Sequence, residues 1–210
     1  MSRSEWSVRR LSRIAGGFYL VNILAGAFAL GYVPSAAPSL ASNEALYRAG
    51  LAAHVLVTLT NVPLAMIFYE LFRVVSRRGA LLIAYFTLAG TSIEAASLFL
   101  GTSHPILPPY DVYAVFFAGY ALTIGSLIFT SRLLPRAIGA LMVLDGAAYL
   151  FYSFADILAP GFAAHLVPWV QLPILAGEGS LCVWLLAAGV SARRLSELGP
   201  TRPTPAPEAT

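Results

Sequence analysis

Six stretches of apolar residues, each long enough for a membrane-spanning helix, divide the chain: Ile14 to Val33, Gly50 to Phe72, Gly79 to Gly101, Val112 to Thr130, Ala137 to Leu158 and Leu166 to Val190. A helix rises about 1.5 Å per residue, so about 20 residues cross the hydrocarbon core of a bilayer. The pattern predicts an all-α integral membrane protein, a compact bundle of six transmembrane helices. The first stretch follows a basic flank, as the apolar part of a signal peptide does. At 20 residues it exceeds the roughly 7 to 15 of such a segment, so it is read as helix 1.

The polar punctuation between the stretches sets the orientation. Links after helices 2 and 4 are short and basic (Arg73, Arg77, Arg78; Arg132, Arg136), whereas Gly101 to Asp111 and Ala159 to His165 contain no arginine. With Arg3, Arg9, Arg10 and Arg13 before helix 1 and Arg193, Arg194 and Arg202 after helix 6, 12 of the 13 arginines fall on one side. The positive-inside rule makes that side cytoplasmic and puts both termini there. Residues 1–13 are thus a basic cytoplasmic N-terminus, 14–190 the transmembrane domain, and 191–210 a basic, then proline-rich tail expected to be disordered. In the outer link from Pro34 to Ala49, Pro34 and Pro38 are expected to break helix 1, and Ser42 or Asn43 to cap a short helix running into helix 2.

Composition removes other classes. The chain is 58% hydrophobic and 11% charged with a mean hydropathy of +0.75, against about 25% charged residues in ordinary soluble domains. All of its basic residues are arginine, grouped at the ends of apolar segments rather than on one solvated face, so no nucleic-acid partner is expected. Cys182, alone in an apolar run, has no partner for a disulfide or thiol pair. His54, His104 and His165 show no HxxxH or HExxH spacing. No GxSxG elbow, Walker loop or dinucleotide glycine loop occurs, and no metal, cofactor or oligomeric state is indicated.

Charged groups inside a transmembrane helix cost about 2.5 to 3.5 kcal/mol on insertion scales and turn toward the bundle interior or a wet cavity. Glu94 in helix 3 and Glu178 near the middle of helix 6 are therefore the leading candidates for acid/base or proton-linked chemistry. Helical spacing gathers other polar residues. His54, Thr58 and Asn61 form one stripe of helix 2; Asp145, Tyr149, Tyr152 and Asp156 one stripe of helix 5; Gln171 shares a face with Glu178, and Tyr19 with Asn22. With these stripes inward, the outer half of the bundle has a polar, tyrosine-rich interior, ringed at its mouth by Arg48, Asp111, Asp156, His104 and His165. The pocket candidates are Arg48, His54, Asn61, Asp111, Tyr149, Tyr152, Asp156 and Gln171. For Asn22, Thr58, Asn61 and Gln171, interhelical hydrogen bonding is the first expectation. Arg48 paired with Asp111 or Asp156 is an expected outer clamp, and Glu70 with Arg73 an interfacial ion pair. Pro168 and Pro173 are expected to kink helix 6 just outside Glu178.

Several motifs resemble one family. Arg13-Ile-Ala-Gly-Gly-Phe-Tyr-Leu20, Arg48, Ile93-Glu94-Ala95, Ser131-Arg-Leu-Leu-Pro-Arg136 with Gly139, Gly146 and Tyr149, and Gly177-Glu178 through Trp184 are together similar to the bacterial membrane proteins labelled domain of unknown function 4386. The likeness spans Arg13 to Val190. It implies a compact bundle of about six helices, and with the lack of an organelle-type presequence it places the chain in the bacterial plasma (inner) membrane. Asp145 departs from it, standing where a small or apolar residue is expected.

Three functions fit this reading. The leading one is a protein that binds or transports a small or amphiphilic molecule in the outward-facing polar pocket. The next is a non-catalytic membrane protein acting through a partner. The third is an intramembrane enzyme on a lipid or isoprenoid-like substrate, with one carboxylic acid as proton donor and one carboxylate as base. That third reading requires Glu94 and Glu178 to face a common cavity.

Overall fold

A computed structural model of the chain describes residues 3–36, 42–100, 112–167 and 169–198. Among them the architecture is all-helical. α1 (Arg3–Gly26) passes through a π-helical segment (Ala27–Tyr32) into one more α turn (Val33–Ala36). Then come α2 (Glu44–Phe72), α3 (Arg77–Leu100), α4 (Val112–Ser131), α5 (Arg136–Leu158), α6 (Pro160–Leu166), α7 (Gln171–Ala187) and α8 (Ala192–Leu198). Five helices are long and apolar enough to cross a membrane, and α6 with α7, bent by 54° at their junction, makes a sixth if the pair is one span.

The six apolar stretches are thus recovered, with three differences. Pro34 does not end helix 1. The preceding turn widens to π geometry, with Val33 N–H donating to Phe28 O five residues back. A wider turn makes room for a proline ring and tolerates its missing N–H. Asn43 caps α2 itself, its side chain accepting from Leu46 N at 3.1 Å, so the expected short helix is simply the first turns of a 29-residue span. Helix 6 is broken rather than kinked at Pro173, which sits in the first turn of α7 where no intrahelical donor is needed. Pro168, residues 37–41, residues 101–111 and the proline-rich tail lie outside the described residues.

The spans close into a ring in chain order. α1 packs on α2, α2 on α3, α3 on α4, α4 on α5, α5 on α7, and α7 returns to α1. Glycines set the tightest seam. A Cβ on Gly125 would lie 2.8 Å from Gly139 O, and one on Gly146 would lie 2.8 Å from Leu122 N, so α4 and α5 touch backbone to backbone. On the other side, Gly16 meets Leu186. Buried Ser12 accepts from Val190 N at 3.1 Å, just past Gly189, whose φ of 70° ends α7 as only glycine does easily.

The interior is not uniform. At the arginine-rich end it is solid, with Leu71, Phe72, Ile83, Ile124, Ile128, Met142, Leu181 and Leu185 all fully buried. The opposite half is hollow.

Candidate functional site

A cavity of about 630 Å³ occupies that half, and all six spans contribute to its wall. Its floor is aromatic. Tyr19, Phe68 and Tyr120, each buried, line it with ring centroids 6.1 Å apart in successive pairs. Tyr120 Oη stands 3.4 Å from Tyr19 Oη, joining α4 to α1. Below this layer the packed core begins.

Glu94 and Glu178 both line this cavity, from α3 and α7. Glu94 is 2% exposed. Its Oε1 is hydrogen-bonded to His54 Nε2 at 2.8 Å, across the α2–α3 interface, while no described residue donates to its Oε2. His54 is 13% exposed and stands behind Glu94, outside the wall proper. The pair therefore fixes one oxygen of the Glu94 carboxyl and leaves the other without a hydrogen-bond partner among the described residues.

Glu178 has a neighbour that sequence reasoning set aside. Asp145, fully buried on α5, lies within electrostatic range of Glu178, and neither of its carboxyl oxygens has a hydrogen-bond partner among the described residues. The absence of a side chain at Gly177 lets it in: a Cβ there would lie 2.6 Å from the Asp145 Cβ. Tyr19, Tyr120 and Tyr149 are all within electrostatic range of both carboxyls. The spacing did place Asp145 one turn below Tyr149 on one stripe, which was the signal available for it.

Asn22 connects this polar interior to the frame. Its Nδ2 donates to Val57 O at 3.1 Å, Thr60 Oγ1 at 3.1 Å and Asn61 Oδ1 at 2.9 Å, so three acceptors on α2 hold one amide on α1. Both Asn22 and Asn61 also line the cavity.

The family model described as Domain of unknown function (DUF4386) matches residues 14–106 and 109–189. The chain belongs to that family. No curated protein and no solved structure matches it.

In this DUF4386 chain the structure brings together Asn61, Glu94, Tyr149, Tyr152, Gln171 and Glu178 on one cavity wall, with His54 directly behind. Among the described residues Arg48, Asp156 and His165 do not line the cavity. Arg48 is exposed and pairs with Glu44 one turn away at 2.8 Å, because an i,i+4 partner on its own helix is always within reach. Of the two partners expected for an Arg48 clamp, Asp156 is not paired with it, and Asp111 lies outside the described residues. Asp156 is partly buried but outside the cavity wall. His165 is exposed, with Nδ1 2.7 Å from Gly161 O. Asp111 and His104 lie outside the described residues. At the other end, Glu70 and Arg73 form the expected pair at 2.8 Å.

Buried Cys182 contacts Gly16 O through its thiol at 3.6 Å and belongs to the packed half.

Proposed function

We propose that this membrane protein binds a small or amphiphilic molecule in the cavity, with Glu94 and Glu178 as its principal recognition groups. One observation carries the reading: two carboxylates on different helices, each costly to keep at membrane depth, line one cavity to which every span contributes. Uncharged interhelical glue would not need carboxylates, and glue that is fully paired would not leave Glu94 Oε2 without a donor among the described residues. The arginine-rich end faces the cytoplasm by the positive-inside rule, so the cavity opens on the outer side of a bacterial plasma membrane.

The test is thermal unfolding of the purified protein against lipids, isoprenoids and small metabolites, run on wild type, Glu94→Gln and Glu178→Gln. A compound that raises the wild-type midpoint and loses its effect in either variant supports the pocket. Loss of stability in both variants with no compound shifting the wild type assigns the glutamates to packing and removes the pocket reading.

The packing of Asp145 against Gly177, the residue next to Glu178, favours a second reading, acid/base chemistry on a lipid or isoprenoid-like substrate, since proton transfer commonly uses two carboxyl groups in different roles. Product analysis after incubation with any stabilising compound separates it from binding alone. An unchanged compound leaves only the binder.

A further inference from the structure

We infer that the ligand is an amphiphilic organic cation, its charged head held between Glu94 and Glu178 and its apolar tail leaving through a gap between α1 and α7. This rests on the pocket reading above and names the ligand class within it.

The sign of the charge comes first. The wall carries Glu94 and Glu178, with Asp145 beside Glu178, and none of the described residues lining it is an arginine or histidine. The chain has no lysine, and 12 of its 13 arginines belong to the other end. The exception, Arg48, is exposed and already paired. A buried carboxyl group either takes up a proton or pairs with a cation, and His54 meets only one oxygen of one of these groups. Glu94 Oε2, on a cavity-lining residue 2% exposed, has no hydrogen-bond partner among the described residues and is the oxygen left for a positive group to approach.

The surroundings refine the class. Tyr19, Tyr120 and Tyr149 stand within electrostatic range of Glu178. Aromatic rings around an acidic group are the chemistry that holds alkylammonium heads, through the negative ring faces. Among the described residues no three His, Cys, Asp or Glu side chains gather as a metal ion would require.

The route for the tail follows from how α1 and α7 diverge. Near the arginine-rich end they are in contact, Gly16 against Leu186 and Cys182. Farther out, Leu30 and Leu175 line the cavity from opposite sides of the seam while remaining 48% and 58% exposed. Exposed residues at the cavity wall are the lips of an opening, and here the lips are apolar, as the tail of an amphiphile requires.

The experiment uses three probes with one tail and different heads: decyltrimethylammonium, decyl sulfate and decanol, each titrated against the full chain in neutral phosphatidylcholine nanodiscs with the unfolding midpoint as readout. Decyltrimethylammonium raises the wild-type midpoint by about 5 °C at about a hundredfold excess over its Kd, and the other two leave it unchanged. Glu94→Gln and Glu178→Gln each weaken the ammonium by roughly thirtyfold or more. Gly31→Trp, at a cavity-lining position with nothing within 4 Å of an added Cβ, places an indole at the rim and weakens decyltrimethylammonium but not tetramethylammonium, with an unchanged ligand-free midpoint showing that packing is kept. Equal shifts from all three heads overturn the cationic head and leave the pocket reading intact, a result that needs no variant to fold. Undiminished decyl binding in Gly31→Trp overturns the tail route. No shift from any probe overturns the cation; if the wider compound screen is also silent, the pocket reading falls with it.

Discussion

Asp145 and Gly177 touch so closely that a single methyl group on Gly177 would lie 2.6 Å from the Asp145 Cβ and 2.9 Å from Leu141 O. Neither atom is the end of a flexible side chain, so the α5–α7 interface has no cheap way to accept it. Gly177→Ala is expected to destabilise the protein by about 1–3 kcal/mol through overpacking. Gly179→Ala, two residues on with nothing within 4 Å, should be neutral or slightly stabilising, since alanine favours helix. Thermal unfolding of the two variants side by side decides it; equal midpoints would remove the claimed contact.

Glu94 depends on His54 for its only described side-chain partner. His54→Ala should cost about 3–5 kcal/mol, the usual penalty for leaving a buried charged group without its mate. Adding Glu94→Gln should recover part of that loss, because the stranded carboxylate is then gone. A double-mutant cycle with a coupling energy near zero would show that the 2.8 Å contact does not matter to stability.

Asp145 should behave in the opposite sense. Its two oxygens have no described partner at full burial, so Asp145→Ala removes an unsatisfied group and is expected to raise the unfolding midpoint, by about 2–4 °C for each kcal/mol regained. Lower ligand affinity in the same variant would identify a residue kept for function at a cost in stability. A lower midpoint would mean that Asp145 is structurally satisfied after all.

Asn22→Leu, close in volume but without the amide, should lose the three bonds to α2 and cost about 1 kcal/mol, typical of polar contacts between membrane helices. Asn61→Leu should cost a similar amount, and the pair less than the sum, since they share the 2.9 Å bond. Strict additivity would contradict the shared bond.

Single cysteines introduced in a Cys182→Ser background test orientation. Glu44→Cys, at the start of α2, should react with an impermeant thiol reagent on intact cells, and Arg193→Cys, in α8, only after permeabilisation. Labelling of both from one side would mean an odd number of spans and would break the α6–α7 pair into something other than one crossing.

The number, order and approximate limits of the spans were legible because lipid imposes length and hydropathy on every crossing. So was the inward stripe of Asn61, Tyr149, Tyr152, Gln171 and Glu178, since helical spacing alone puts such residues on common faces. Which stripe meets which was not legible. The His54–Glu94 bond joins residues 40 apart, and only the α2–α3 packing sets their relative depth. Asp145 was passed over because the reason it is tolerated, the bare backbone of Gly177, lies on another helix. The Arg48–Glu44 pair was passed over in favour of partners across a loop, whereas one turn of its own helix already supplies a carboxylate.

The contrast between the filled and hollow halves fixes what passage would cost. A molecule crossing from the cavity to the arginine-rich face would have to part Phe68, Phe72, Ile83, Ile124 and Met142, each 1% exposed or less. Exposing each costs about 1.5–3 kcal/mol, and on the α4–α5 side the backbones are already in contact at Gly125, Gly139 and Gly146. Filling the cavity from the open side demands none of this. The described residues have the form of a cup rather than a pipe, hollow toward one end and packed toward the other.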